Sequence, residues 1–267
     1  EGDMIAAMGL KYGTPEATYF SADIHKIVAV EAYRSSVQMA KERGAFAIYD
    51  AEREKNNPFV NRIKSVDPAL YDEMVKYGRR NIACLTIAPT GTTSLMTQTT
   101  SGIEPVFLPV HKRRRKVNPN DTNVHVDFVD ESGDSFEEYI VYHPKFLTWM
   151  EVNNYDTSKN YTQEEIDELI KISPYYGATA NDVDWLEKVK MQGAIQKWVD
   201  HSISVTINLP NDVSEELVNS LYIEAWKSGC KGCTVYRDGS RSGVLISTKK
   251  SDKKEEECHC KPPQVTE

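Results

Sequence analysis

The sequence predicts an α/β protein with parallel strands, and two observations carry that prediction. Amphipathic helical spacings alternate along the chain with short extended apolar runs, the order that builds right-handed strand-helix-strand units. The extended runs also end in loop punctuation, Pro89-Thr90-Gly91 after one and Asn208-Leu209-Pro210 after another, as buried strands do. In such a unit the functional loops leave the carboxyl ends of the strands.

The elements follow in order. From Pro15 to Arg43, Phe20, Ile24, Ile27 and Val28 recur at three- and four-residue spacings and Gly44 supplies a stop, so one long helix is expected. Asp67-Pro68 reads as a cap and a first-turn proline, opening a short helix that closes near Gly78. Cys84 to Ala88 reads as a strand. Asn118 to Gly133, rich in Asn, Asp and Gly, reads as an irregular excursion before helical material from about Phe136 to Met150. Thr162 and Glu165 form a capping box ahead of Ile166, Leu169 and Ile170. Val183, Leu186, Val189 and Trp198 share one side of a second helix. Ile203, Val205 and Ile207 alternate with Ser204 and Thr206, which predicts a strand. Leu217, Leu221 and Trp226 mark a further helix that Gly229 ends, and Cys233 to Tyr236 reads as one more strand. Residues 1–245 thus form the α/β domain. Residues 246–267 form a flexible charged tail, because Ser247 to Glu257 has no apolar residue with which to dock.

Composition narrows the function. An apolar share of 40% in 267 residues sustains a sizeable core. No apolar run approaches the roughly 20 residues that cross a bilayer, so no membrane role is expected. A net charge of −8 opposes nucleic-acid binding. The local exception, Lys112-Arg113-Arg114-Arg115-Lys116, is either a solvated face or a polyanion-binding patch. Five cysteines and no secretion signal point to reduced thiols in a cytoplasm. The chain opens on Glu1-Gly2-Asp3, without Met and within a helical approach, so it reads as cut from something longer.

The most informative segment is Ala88-Pro89-Thr90-Gly91-Thr92-Thr93-Ser94. Free backbone N–H groups and hydroxyls after a strand suit phosphate oxygens, especially where a helix starts at Ser94. The competing reading is an ordinary strand-to-helix turn with capping residues. It is not a Walker loop, since the Gly-Lys-Ser/Thr ending is absent. Cys230 and Cys233 could join Cys258 and Cys260 in a thiolate zinc site. Alternatively Cys258 and Cys260 are a mobile dithiol, or thiols without function. Cys84 reads as a small buried residue. His25, His111, His125 and His143 lack metal spacing and read as surface or internally satisfied histidines.

Three segments together resemble ribonucleotide reductase large subunits: Asn81 through Ser94, Ser101-Gly102-Ile103-Glu104-Pro105-Val106-Phe107, and Gly232 through Arg241. His201 through Pro210 and Ala32-Tyr33-Arg34-Ser35-Ser36 fit the same family, so the likeness runs through nearly the whole chain. The Gly-Thr-Thr-Ser loop and the Tyr-Arg-Asp-Gly-Ser-Arg ending are most similar to the adenosylcobalamin-dependent class. The diiron class, which needs a radical-generating partner protein, favours two adjacent tyrosines where only Tyr236 stands.

The resemblance implies the C-terminal part of a ten-stranded α/β barrel, in which a cysteine thiyl radical abstracts the ribose 3′ hydrogen of a nucleotide. It implies that Pro89, Thr90, Gly91, Thr92 and Thr93 hold a nucleoside diphosphate substrate and that Tyr236 lines the site; the alternative for Tyr236 is a core tyrosine with a satisfied hydroxyl. It implies adenosylcobalamin as cofactor and a thioredoxin-like reductant. It further implies that the radical cysteine lies in a missing N-terminal part, so that these 267 residues alone are inactive. Outside the enzyme class, the rival is a non-catalytic nucleotide- or polyanion-binding module using the loop and Lys112 to Lys116.

Overall fold

The computed structural model describes residues 1–118, 124–130 and 133–240. They divide into two compact units: residues 1–110 with 142–240, and the described part of 111–141.

The first unit begins with α1 (Gly2–Ala7) and the long α2 (Pro15–Arg43). The Thr14 hydroxyl accepts the Ala17 N–H, Pro15 occupies the first turn, and Gly44 leaves the helix at φ 80°, so sequence start and stop signals act as expected. Three short helices follow: α3 (Ala51–Glu54), α4 (Pro58–Val66) and α5 (Pro68–Tyr77). Asp50, Asn57 and Asp67 cap them in turn. Ala29, Tyr33 and Val37 of α2 pack against Phe59, Val60, Ile63, Leu70 and Met74 in one apolar cluster. Arg79, buried beneath it, is ion-paired to Glu54 and donates to the Asn81 and Ile82 carbonyls.

After α6 (Gly91–Thr97) the chain enters the second unit. There β1 (Val110–Lys116), β2 (Phe128–Val129) and β3 (Ser135–Tyr142) form a sheet in the order β1-β3-β2. Phe128 pairs with Phe136 antiparallel. The expected helix from Phe136 to Met150 is therefore corrected: its first half is β3, and only α7 (Pro144–Val152) is helical. Pro144 at the first turn explains the break, since proline cannot continue a preceding helix but opens a new one.

Back in the first unit, α8 (Gln163–Ile172) starts on the Thr162–Glu165 capping box, both halves of which are formed. Next come α9 (Trp185–Gln196), β4 (Thr206–Leu209), α10 (Glu215–Lys227) and β5 (Thr234–Arg237). Helix α9 is central. Its Met191 and Ile195 join a cluster with Ile5, Ile103, Val199 and Ile203, while its Val189 joins Ile207, Leu209 and Leu221. A helix buried on several sides cannot show a clean amphipathic stripe.

β4 and β5 are parallel, with Thr206 opposite Thr234 and Leu209 opposite Arg237. The expected strand at Cys84–Ala88 is reduced to a single parallel bridge, Ile87 to Ile203. Its N–H and C=O groups still alternate in pairing: His201 N–H donates to Leu85 O, Ile87 N–H to Ser202 O, and Ser204 N–H to Ile87 O. The result is three parallel extended segments side by side. A ten-stranded barrel is not shown, and among the described residues no sheet closes, because three segments cannot satisfy one another's outer edges. No helix among the described residues is long and apolar enough to cross a membrane.

Gly193 reports on how tightly α9 and α10 meet. A Cβ placed there would lie 2.7 Å from the Ser228 carbonyl oxygen and 2.5 Å from its Cβ. Gly→Ala inside a helix ordinarily stabilises by about 1 kcal/mol. Gly193→Ala should reverse that sign and destabilise by about 1–3 kcal/mol through overpacking, measured as a lowered urea midpoint at unchanged slope.

Candidate anion-binding site

The candidate loop follows the bridge at Ile87. Pro89 and Thr90 lead into α6, whose first residue is Gly91, so the helix begins three residues before the expected Ser94 and takes Thr92 and Thr93 into its first turn. Thr90 stands at the N-cap with φ 49°, a left-handed conformation that is uncommon outside glycine. Its hydroxyl does not cap the helix. It instead accepts the Gly102 N–H at 2.9 Å and lies 3.2 Å from the Ser101 hydroxyl.

Two consequences follow from that diversion. The first helical hydrogen bond is Ser94 N–H to Thr90 O, so the N–H groups of Gly91, Thr92 and Thr93 have no intrahelical acceptor and point out of the helix end. Among the described residues the Thr92 and Thr93 hydroxyls also have no hydrogen-bond partner, and both residues are exposed. Three N–H donors at the positive end of a helix, with two hydroxyls beside them, favour an anion.

The loop is fixed by Ser101 to Glu104. Ser101 Oγ donates to Pro89 O at 2.6 Å. Gly102, at φ 51°, lets the chain pass close to Ile87, where a side chain would press on the Ile87 methyl at 3.3 Å. Tyr12 OH donates to Ile103 O at 2.5 Å, and burial pushes the Tyr12 pKa well up, keeping it a donor. One step earlier, Asp3 accepts the Thr100 N–H at 2.7 Å, Tyr175 OH at 2.9 Å and His143 Nε2 at 2.8 Å. Asp3 was not singled out from the sequence and lies in no local motif, while Glu104 was named only as part of the Ser101–Phe107 segment, without a role.

The loop's other support is Asp200, which precedes the extended run at Ile203. It accepts Tyr33 OH and Cys84 N–H on one oxygen, both at 2.7 Å, and Leu85 N–H on the other at 2.9 Å. Cys84, expected to be buried, is half-buried; burial, followed by Asp200, pushes its thiol up.

Tyr236 lies on β5 opposite Asn208, half-buried. Because the three extended segments are parallel, Tyr236 and the Pro89–Thr93 loop sit toward the same carboxyl end. Cys230 and Cys233 flank the turn into β5 and pack in the cluster around Ile207. Burial, with Cys233 second, pushes Cys230 up to about 11, so it is a protonated thiol. Cys258 and Cys260 lie outside the described residues. His25 meets Glu1, His125 meets Asp127 and His143 meets Asp3, and no grouping of His, Cys, Asp and Glu among the described residues could hold a metal.

In the second unit most of the basic run faces acids across the sheet. Arg114 and Lys112 meet Glu138, Arg115 meets Glu137, and Lys116 meets Asp134. That pairing leaves little surplus charge for a polyanion.

The fold and loop together define an α/β protein with an open, hydroxyl-rich helix start at the carboxyl end of parallel extended segments, the position that nucleotide-binding α/β proteins use. More narrowly, the chain belongs to the ribonucleotide reductase barrel-domain family, which matches residues 1–236. It is 29% identical over 252 residues to a vitamin B12-dependent ribonucleoside-diphosphate reductase of Mycobacterium tuberculosis, covering 92% of this chain and 30% of that protein. A protein of the same name from Thermoplasma acidophilum is 28% identical over 95% of this chain and 30% of its own length. A vitamin B12-dependent ribonucleotide reductase of Streptomyces coelicolor is 41% identical over a shorter stretch of 69 residues, 26% of this chain and 7% of that protein. The chain spans less than a third of the length of the first two relatives.

The Asp3 hub has a testable pH signature. Burial alone would raise its pKa; the His143, Thr100 and Tyr175 bonds outweigh burial and hold it below 3.8. A depressed carboxyl adds stability above its unfolded pKa and loses it as pH falls through the folded one. The stability gap between wild type and Asp3→Asn should be full near about pH 6 and shrink below 3.8, read from urea midpoints. A gap that widens on acidification would contradict the hub.

Proposed function

We propose that this chain supplies the substrate-phosphate side of a ribonucleotide reductase acting on nucleoside diphosphates. The observation that carries this reading is the open first turn of α6: three N–H groups without acceptors and two unengaged hydroxyls, held in place by a second family motif. Pro89 and Thr90 shape the loop, with the Thr90 hydroxyl spent on Gly102. The Gly91, Thr92 and Thr93 N–H groups and the Thr92 and Thr93 hydroxyls bind the diphosphate oxygens, charge-assisted bonds being the strong ones.

With the phosphates anchored, the ribose lies toward the carboxyl end of the extended segments, where Tyr236 lines the site. The reaction is radical-based reduction of the ribose, begun by a cysteine thiyl from the part of the protein that precedes these residues. The relatives are named vitamin B12-dependent, and adenosylcobalamin, when bound, would supply the radical. The reductant is a thioredoxin-like dithiol, and the setting is cytoplasmic. The polyanion-module alternative gains nothing from the paired charges of β1.

Thr92→Val and Thr93→Val should each weaken ADP binding by roughly ten- to a hundredfold, the worth of one hydrogen bond to a charged oxygen. Adenosine, which lacks the diphosphate, should bind both variants and wild type alike in the same calorimetric titration. Unchanged ADP affinity in the double variant would remove the loop from the site.

A further inference from the structure

Lys188 on α9 is 1% exposed, and its ammonium reaches two acceptors. Nζ donates to Thr206 O at 2.5 Å and lies 3.5 Å from Glu104 Oε2. Glu104 Oε1 in turn accepts the Thr206 N–H at 2.9 Å. The three groups close a ring: lysine on the carbonyl of Thr206, glutamate on its N–H, and lysine facing glutamate. The shorter contact goes to the peptide carbonyl and the longer one to the carboxylate, so the ammonium satisfies a β4 carbonyl while its charge is balanced by Glu104.

Burying a charge without a partner is costly. A core position between Val189 and Glu187 would ordinarily hold an apolar side chain, yet here it carries a lysine. Burial lowers the Lys188 pKa, and Glu104 is the chief influence opposing that. The ring therefore persists through mutual dependence, and what it fixes is the position of Glu104. Glu104 is two residues from Gly102, whose N–H holds Thr90, and three from Ser101, whose hydroxyl holds Pro89. Nothing else among the described polar contacts ties the Glu104 side chain to the fold.

We propose that Lys188 is a positioning residue for the anion loop, acting through Glu104 to hold Ser101 and Gly102 against Pro89 and Thr90. This rests on the loop being the diphosphate site, and it adds a residue that touches no substrate and lies outside every motif by which the loop is recognised.

The test is a double-mutant cycle in the full protein with Lys188→Met and Glu104→Gln, reading ADP affinity by calorimetry and amide hydrogen exchange at Gly102 and Ser94. Each single change should weaken ADP binding by roughly three- to thirtyfold, the coupling range of residues in one ion-pair network. The double variant should be no weaker than the worse single, and Gly102 protection should fall in all three while adenosine affinity stays constant. Effects that multiply, or an unchanged ADP affinity in folded Lys188→Met, would overturn the proposal. Should Lys188→Met fail to fold, Glu104→Gln alone must still lower Gly102 protection, and its failure to do so would overturn the proposal equally. If wild type itself does not bind ADP, the diphosphate reading fails, and the exchange measurement still judges the clamp.

Discussion

The carboxylate of Asp200 is the constraint on which the candidate site depends. It is one side chain accepting three hydrogen bonds from two distant parts of the chain, Tyr33 on α2 and the Cys84–Leu85 peptides that lead to the loop. Its own carbonyl accepts Lys231 from the turn before β5. Parallel extended segments cannot be aligned by a tight hairpin, because their connections are long. A carboxylate that accepts successive N–H groups at the start of one segment, while heading the next, sets their relative position instead. A carboxylate drawn partly out of water is costly unless its lone pairs are filled, so in half-buried Asp200 the alignment and the satisfaction of the side chain go together.

Around that point the segments that mark the family turn out to be complementary halves of a few contacts. Tyr33, Arg34 and Ser36 reach Asp200, Asp67 and Asn81 respectively. Ser101 and Gly102 close on Pro89 and Thr90. Gln192 and Gln196, both buried, hold the Gly232 carbonyl and the Lys231 N–H of the turn into β5. The Pro89–Thr93 loop is thus the exposed end of a bonded system whose other members are structural, and its shape is set from beneath.

Much of this was legible locally. Helix ends written in caps, such as Thr14 with Gly44 or Thr162 with Glu165, depend on residues within one turn and came out as read. What was misread depends on partners far away in sequence. Phe136 to Tyr142 has apolar residues at helical spacing, but it is the middle strand of a sheet whose neighbours lie elsewhere in the chain, and its Glu137 and Glu138 meet the cations of β1 more than twenty residues earlier. Cys84–Ala88 is extended as expected, yet its pairing is a single bridge because the neighbouring run begins at Ile203 and β4 only at Thr206. In the site, the hydroxyl-rich loop was visible as a string. Asp3, Lys188 and Asp200 were not, because each is an isolated charged residue whose importance comes from long-range partners.

Helix α6 buries none of its seven residues, and Leu95 and Met96 stand about four-fifths exposed on it. Most helices in proteins owe their stability to a packed apolar face, and one of two turns is marginal without it. Folding of α6 and occupation of its first turn are accordingly linked equilibria: an anion that binds the three N–H groups binds only the helical form and shifts its population. The measured affinity then includes the free energy of winding two turns of helix. Substitutions at the far end of α6, which never meet the ligand, would reach it through that winding.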